Sequence, residues 1–285
     1  MSDKLIAEIK TLKQWEGHEE RVEELLSPIK VAGYHAVLDT GEPPVKTGDP
    51  APSGIHWMLA RSTTPQSELG TDGLGLRGSF IPPVSLPRRM WAGSDIEFLN
   101  PLKVGEMVER RSSFDSVFHK QGRTGNLVFV KIKHDYSIQQ ELCIREIQTL
   151  VYREPAKPGD PEPDLQTIPY KPLWERSLVP DSVLLFRYSA LTFNGHRIHY
   201  DRSYCVEQEG YPGLVVHGPF QATLLLDLCR RNKPEVPLKH FKFRAMNPVF
   251  EGEKIHICGK ENVGTGNLWI RGSRDELAMK AEASW

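Results

Sequence analysis

The run Leu127-Val128-Phe129-Val130-Lys131-Ile132-Lys133 settles into alternation of apolar and polar residues, the two-residue period of a strand with one wet face. Similar short runs over 109–117 and 141–152 predict neighbouring strands, and runs over 254–260, 268–273 and 276–285 predict three more. Short turns between successive strands imply antiparallel pairing. The segment Pro219 to Arg231 has a different pattern, with Leu224, Leu225, Leu226 and Leu228 crowded together. Pro219 suits the first helical position, Gly218 the cap before it, and Asn232-Lys233-Pro234 the end. A helix this apolar has to be surrounded on nearly every side. Near the N-terminus, Leu5, Ile6, Ile9 and Leu12 predict a helix over 3–12. Val22, Leu25, Leu26 and Ile29 predict a second from about His18 to Val31, and Gly54 to Arg61 is expected to be the first half's buried helix.

The pattern repeats. Asn100-Pro101-Leu102-Lys103-Val104-Gly105-Glu106 recurs as Asn247-Pro248-Val249-Phe250-Glu251-Gly252-Glu253, each ahead of an alternating stretch. Thr124-Gly125-Asn126-Leu127 recurs, in the same order along the chain, as Thr265-Gly266-Asn267-Leu268. Asn-Pro and Thr-Gly-Asn are common turn chemistry, but two ordered matches at nearly equal offsets predict a duplicated unit. Between the copies, prolines at 155, 158, 161, 163, 169 and 172 predict an extended connector. The expected organisation is therefore an N-terminal unit over 1–154, a connector over 155–172 and a C-terminal unit over 173–285. Each is α+β, with an antiparallel sheet curved around one central helix.

Composition narrows the possibilities. The chain has 285 residues, and 36 basic side chains nearly cancel 37 acidic ones. That balance removes the case for nucleic acid as a partner, which calls for concentrated positive charge. Cys143, Cys205, Cys229 and Cys258 lie far apart without a CxxC pair, so neither a disulfide scaffold nor a metal knuckle is expected. The N-terminal MSDKLIAEIK has acidic residues and no apolar core, unlike a secretory signal or transit peptide. The most apolar stretch, 213–229, is broken by His217, Gln221 and Asp227 and predicts no membrane span. The expectation is a soluble cytoplasmic protein, or a mitochondrial matrix protein in a eukaryote.

The densest chemistry lies in two windows. The first runs from Tyr188 through Asn194-Gly195-His196-Arg197-Ile198-His199 to Asp201. The second is Gly213-Leu214-Val215-Val216-His217-Gly218-Pro219. Together they resemble the MaoC-like, R-specific enoyl-CoA hydratases. In that family a tyrosine-led segment ends in Asp-x-Asn-Pro-aliphatic-His, and a later Gly-x-x-x-His-Gly opens the central helix. Arg88-Arg89-Met90-Trp91-Ala92-Gly93 resembles the N-terminal part of the type 2 hydroxyacyl-thioester dehydratases. The resemblance spans both halves and implies a double hotdog acting on an acyl-CoA. It is strongest to members that hydrate mesaconyl- or itaconyl-CoA, whose product is citramalyl-CoA.

The resemblance makes His199 the catalytic histidine. It places Asn194 where the family has its catalytic aspartate, so acid–base duty falls to His199, because an amide holds water but cannot accept its proton. Gly218 takes the position of the glycine whose backbone N–H polarises the thioester carbonyl, and an unsatisfied N–H at a helix start suits that task on physical grounds. Arg88, Arg89 and Arg197 are the candidates for a substrate carboxylate, with His217 and Tyr188 further candidates for substrate binding. Arg230, Arg231, Lys239, Lys242 and Arg244 either meet the CoA phosphates or form a solvated edge. His196 and His199 with His217 nearby resemble metal ligands only superficially, since no third ligand falls at a recognised spacing. No metal or cofactor is expected, and a homodimer is an open possibility. The rival functions are a 3-hydroxyacyl-thioester dehydratase for longer chains on CoA or acyl carrier protein, and a non-catalytic acyl-CoA-binding hotdog.

Overall fold

A computed structural model describes residues 3–61, 63–122, 125–155, 165–168 and 171–285; the side chains of residues 3–6 are not considered. Ten strands form a single antiparallel sheet. They are β1 (Glu19–Leu25), β2 (Arg88–Phe98), β3 (Met107–Gly122), β4 (Gly125–Ile138), β5 (Glu141–Arg153), β6 (Trp174–Leu178), β7 (His240–Ala245), β8 (Ile255–Asn262), β9 (Thr265–Arg271) and β10 (Leu277–Ser284). Their spatial order is β1-β3-β4-β5-β2-β7-β10-β9-β8-β6. This order is symmetric about the β2–β7 seam, so each half contributes five strands in the same sequence. The two expected sheets are thus joined edge to edge, with Gly93 opposite Arg244 and Glu97 opposite His240. Pairing the two inner edges removes both from the list of open strand edges.

The repeated turns occupy equivalent places. The side-chain amide of Asn100 donates to Leu142 O at 3.1 Å, and its backbone N–H to Cys143 O at 3.1 Å. Asn247 makes the same pair of bonds to Leu277 O at 2.9 Å and Ala278 O at 3.1 Å. Gly105 and Gly252, five residues after each asparagine, both adopt positive φ, at 89° and 77°. Thr124, from the second repeated motif, lies outside the described residues. So does most of the 155–172 connector; within its described part, Gln166 O accepts the N–H of Leu277 at 2.8 Å.

Among the described residues, five α-helices accompany the sheet: α1 (Asp3–Leu12), α2 (Pro28–Leu38), α3 (Ser182–Leu191), α4 (Arg202–Glu207) and α5 (Gly218–Asn232). The buried helix is α5, with every residue from Phe220 to Cys229 out of solvent. It starts one residue earlier than expected, with His217 as its cap. The carboxylate of Asp227, fully buried, receives Arg176 at 2.5 Å, Arg230 at 2.8 Å and Arg231 at 2.7 Å. Arg231 also donates to the last carbonyls of α2, Leu38 O and Asp39 O, at 3.1 Å each. These bonds lock the central helix to both halves.

Two expected helices are corrected. The segment from His18 to Val31 is a strand followed by the start of α2, because Pro28 has no N–H to donate inside a helix and instead occupies its first turn. The segment from Gly54 to Arg61 contains a single tight turn, Ile55–Met58, bounded by Gly54 at φ 95° and Ala60 at φ 48°. Left-handed residues at both ends stop a helix from propagating. The turn still takes the central place in its half: Ile55, His56, Trp57 and Met58 are all buried, and Gly54 backs directly onto Leu226 of α5. Four strands had no clear sequence signature, namely β1, β2, β6 and β7.

Candidate active site

The segment carrying Asn194 and His199 is shaped by its own turn chemistry. Asp181 caps α3 by accepting Leu184 N–H at 2.7 Å. The helix ends at Leu191, and Phe193 at φ 48° reverses the chain. Asn194 then closes a tight turn, its Oδ1 accepting the His196 N–H at 3.1 Å. That bond fixes the amide orientation, leaving the Nδ2 group as the end that can donate to a ligand or water. One further turn, Arg197–His199, brings His199 against the extended segment 214–216. Val215 N–H donates to Ile198 O at 3.0 Å, and His199 Nδ1 lies 2.7 Å from Val215 O.

A carbonyl only accepts, so His199 carries its proton on Nδ1 and holds a lone pair on Nε2. Its ring lies in a neutral stack. The His199 and His217 rings are 3.6 Å apart and nearly parallel at 19°, and His196 meets His199 edge-on at 5.4 Å. Burial and then the neighbouring His196 push the His199 pKa down to about 3, against a smaller upward pull from the Val215 bond. Burial and then Arg89 push His196 down to about 4. His217 is driven well below the usual range by burial, then by His199 and His196. All three imidazoles are therefore neutral at pH 7. No described carboxylate hydrogen-bonds to His199.

Directly after His217, α5 begins. Gly218 is its first residue and lines the same cavity as His199 and Asn194. A methyl group added to Gly218 meets only Trp91 O, at an ordinary 3.7 Å, so packing against protein does not demand glycine there. The glycine keeps a helix N-terminus open to whatever occupies the cavity, and that N-terminus carries partial positive charge. The cavity has a volume of about 1890 Å³ and is lined from both halves, by Trp57, Arg61 and Arg89 from the first and by Asn194, His199 and Gly218 from the second.

Several sequence candidates take other roles. Tyr188 and His217 do not line the cavity: the Tyr188 ring packs on His217 at 5.0 Å, its hydroxyl meets Thr223 Oγ1 at 3.1 Å, and His217 Nε2 meets Ser189 Oγ at 2.9 Å. They pack behind the His199 ring. Arg197 lines the cavity, but its guanidinium is committed to Asp201 at 2.7 and 3.0 Å and to Thr71 O at 3.0 Å. Arg88 is likewise held by Glu209, through the backbone O at 2.6 Å and the carboxylate at 3.5 Å. Arg89 keeps its place on the cavity wall. Among the proposed phosphate-binding cations, Arg230 and Arg231 are bound to Asp227 and Lys242 to Asp95 at 2.7 Å, while Arg244 lines the cavity.

Sequence reasoning missed two features. First, the glycine-rich loop at 70–75 clamps the segment that carries Asn194 and His199. Gly73, at φ 82°, lies so close that a methyl group there comes within 2.0 Å of Gly195 O, and Arg197 N–H donates to Asp72 O at 2.9 Å. The glycines of this loop were the available signal. Second, a buried polar cluster lies in the first half around Glu146, which accepts Trp57 Nε1 at 3.1 and 3.2 Å and Ser94 Oγ at 2.5 Å, with His56 Nε2 at 3.5 Å. Burial raises the Glu146 pKa, but His56, His134 and Ser94 together outweigh it and keep the group an anion. Its residues are scattered over 90 positions and carry no local motif.

A double hotdog whose histidine and helix start converge on one cavity is the arrangement of the MaoC-like hydratases and dehydratases, enzymes that add or remove water at an acyl thioester. The chain belongs to the hydroxyacyl-thioester dehydratase type 2 family, whose profile matches residues 54–251. It is 41% identical over 270 residues to the mesaconyl-C4-CoA hydratase of Chloroflexus aurantiacus, covering 94% of this chain and 95% of that one. Among solved structures it is similar to HtdX of Mycobacterium tuberculosis, with a TM-score of 0.68 at 18% identity, over 93% of this chain and 98% of that one. A second Mycobacterium tuberculosis protein, described as a double hotdog, superposes with a TM-score of 0.59 at 14% identity over 94% and 96% of the two chains.

Proposed function

We propose that this enzyme reversibly adds water to a short enoyl-CoA, and that its substrate is a branched C5 dicarboxylic thioester of the mesaconyl or itaconyl type. The observation that carries the reading is the pairing in one cavity of the His199 Nε2 lone pair with the open helix start at Gly218. Near full-length similarity to a mesaconyl-C4-CoA hydratase supports the substrate class.

The chemistry follows from the groups present. His199 Nε2 takes a proton from a water that the Asn194 amide helps to hold, and the water oxygen bonds to the β-carbon. The electron pair of the carbon–carbon double bond moves to the thioester oxygen, where the Gly218 N–H and the α5 dipole stabilise it as an enolate. The proton then passes from His199 to the α-carbon as the carbonyl re-forms, so one water is consumed and no other reagent is needed. In place of a carboxylate partner, the developing imidazolium has the enolate's negative charge.

Incubation with a panel of enoyl-CoAs, read by mass for water addition, tests this. The account expects turnover of C5 dicarboxylic thioesters well above crotonyl-CoA. A second reading, a dehydratase for longer 3-hydroxyacyl chains, has one observation in its favour: Phe80, Ile81, Phe129 and Leu150 give the same cavity an apolar wall. Preference for long chains selects that reading, and binding without turnover of any member selects the non-catalytic acyl-CoA-binding module.

A further inference from the structure

We infer that Arg61 is the residue that binds the distal carboxylate of the acyl group, held in place by the Glu146 cluster. This rests on the dicarboxylic reading above and names a specificity residue for the same site.

The argument begins with charge. Removing a guanidinium from bulk water is costly unless an anion or strong acceptor answers it. Arg61 lines the cavity, and desolvation pushes its pKa below the usual arginine range. Three other cations on the wall are answered by carboxylates, Arg110 by Glu20 at 2.6 Å, Arg88 by Glu209 and Arg197 by Asp201. Arg89, on strand β2, shares with Arg61 the lack of a described carboxylate partner. Among the described residues, Arg61 makes no ion pair with a carboxylate. Glu146, the buried anion within its electrostatic reach, is already engaged by Trp57 and Ser94 and faces His56. The cavity therefore holds a guanidinium whose hydrogen-bonding capacity is not matched by the protein.

Its placement suits the task. Arg61 follows the turn that carries Trp57, and Glu146 anchors that turn through the indole N–H. On the other side, the Ala60 N–H donates to Glu24 Oε2 at 2.6 Å, and Lys30 Nζ donates to Met58 O at 2.7 Å. The backbone is thus pinned on both sides of Met58. Arg61 lines the same cavity as His199, Asn194 and Gly218, on the wall contributed by the first half. A planar guanidinium binds both oxygens of a carboxylate at once, which a lysine ammonium cannot do with the same geometry. An enoyl thioester placed with its carbonyl at Gly218 then projects its far carboxylate toward the first half, where Arg61 receives it.

The test uses Arg61→Met and Arg61→Lys in the full chain, with two readouts. Turnover of mesaconyl-CoA is compared with that of crotonyl-CoA, and binding of the unreactive methylsuccinyl-CoA is compared with that of butyryl-CoA by calorimetry. A charge-assisted bond of the usual strength corresponds to roughly a ten- to hundredfold change. Arg61→Met is expected to cut the dicarboxylic-to-monocarboxylic ratio by that factor in both readouts, with Arg61→Lys recovering part of it. An unchanged ratio in folded variants overturns the assignment of Arg61 while leaving the hydratase reading intact. If the Met variant does not fold, the Lys variant decides: a ratio equal to wild type overturns the assignment. Wild-type protein that prefers crotonyl-CoA or long chains overturns the dicarboxylic reading itself, and binding without turnover overturns the hydratase reading.

Discussion

The rings of His199 and His217 lie face to face with centroids 3.6 Å apart. Two imidazolium ions at that separation repel strongly, and both rings are buried, at 7% and 0% exposure. Burial, and then the edge-on His196, keep the His199 ring neutral, with its proton committed to Val215 O and its lone pair on Nε2.

The first consequence is a pH dependence of stability. His134, His196 and His199 have folded pKa values of about 4, 4 and 3, and His217 lies well below 6.5. The unfolded chain binds protons at these sites below pH 6.5 while the folded chain does not, so stability falls as pH drops from 6.5 toward 4. Each histidine contributes up to about 1.4 kcal/mol of loss per pH unit within that window. Denaturant melts at pH 7.0, 6.0 and 5.0 are expected to show this steep decline. His217→Phe, which keeps a flat ring in the stack and deletes one proton site, is expected to flatten it.

Activity is expected to behave differently. The free-enzyme base titrates near 3, so kcat/KM has no acid limb at pH 6–7, the range of an ordinary histidine. Initial rates from pH 7.5 down to the onset of unfolding check this, and a limb centred near 6.5 places the working base elsewhere.

The clamp between the loop at 70–75 and the catalytic segment yields a third expectation. A methyl group at Gly73 collides with Gly195 O at 2.0 Å, and the φ of 82° disfavours any other residue by roughly 1–2 kcal/mol before the clash is counted. Gly73→Ala is therefore expected to lower the melting temperature by several degrees and to cut kcat at least tenfold, through displacement of the Asn194–His199 segment. Near-wild-type kcat contradicts a positioning role for the loop.

Gly218→Ala provides the complementary case. The added methyl finds ordinary contact distance to the protein, so stability is expected to change by less than about 1 kcal/mol. In the proposed pose the methyl crowds the thioester oxygen off the Gly218 N–H, and kcat/KM is expected to fall roughly a hundredfold, the scale of losing one oxyanion donor. Paired thermal melts and steady-state rates separate the two effects.

Local pattern revealed the fold wherever burial imposed a period. The strands β3, β4, β5, β8, β9 and β10 pack one face on a core, and their alternation was readable. The strand β1 alternates as well, but Glu-Glu-Arg-Val-Glu-Glu-Leu places only Val22 and Leu25 among charges, three residues apart, which also suits a helix. The strand β2 is the seam between the halves, flanked on both sides, so its pattern is set by partners distant in sequence. At the candidate site, His199 and Asn194 were singled out by resemblance to a family motif, and Gly218 also by its place at a helix start, which is a local signal. Arg61, Glu146 and Gly73 were not, because what sets them are segments distant in sequence: Glu24 bonds Ala60, next to Arg61, from 36 residues away, Trp57 reaches Glu146 from 89, and Gly195 approaches Gly73 from 122.

The central claim is water addition with His199 as the base, and mass spectrometry of the product formed from mesaconyl-CoA in ¹⁸O-labelled water tests it most directly. The wild-type enzyme is expected to yield a hydroxyacyl-CoA carrying one heavy oxygen. His199→Ala, folded and still binding the thioester, is expected to form it about 10²–10⁴ times more slowly. Unlabelled thioester recovered intact from the wild-type enzyme, or labelling by the variant at an undiminished rate, contradicts the account.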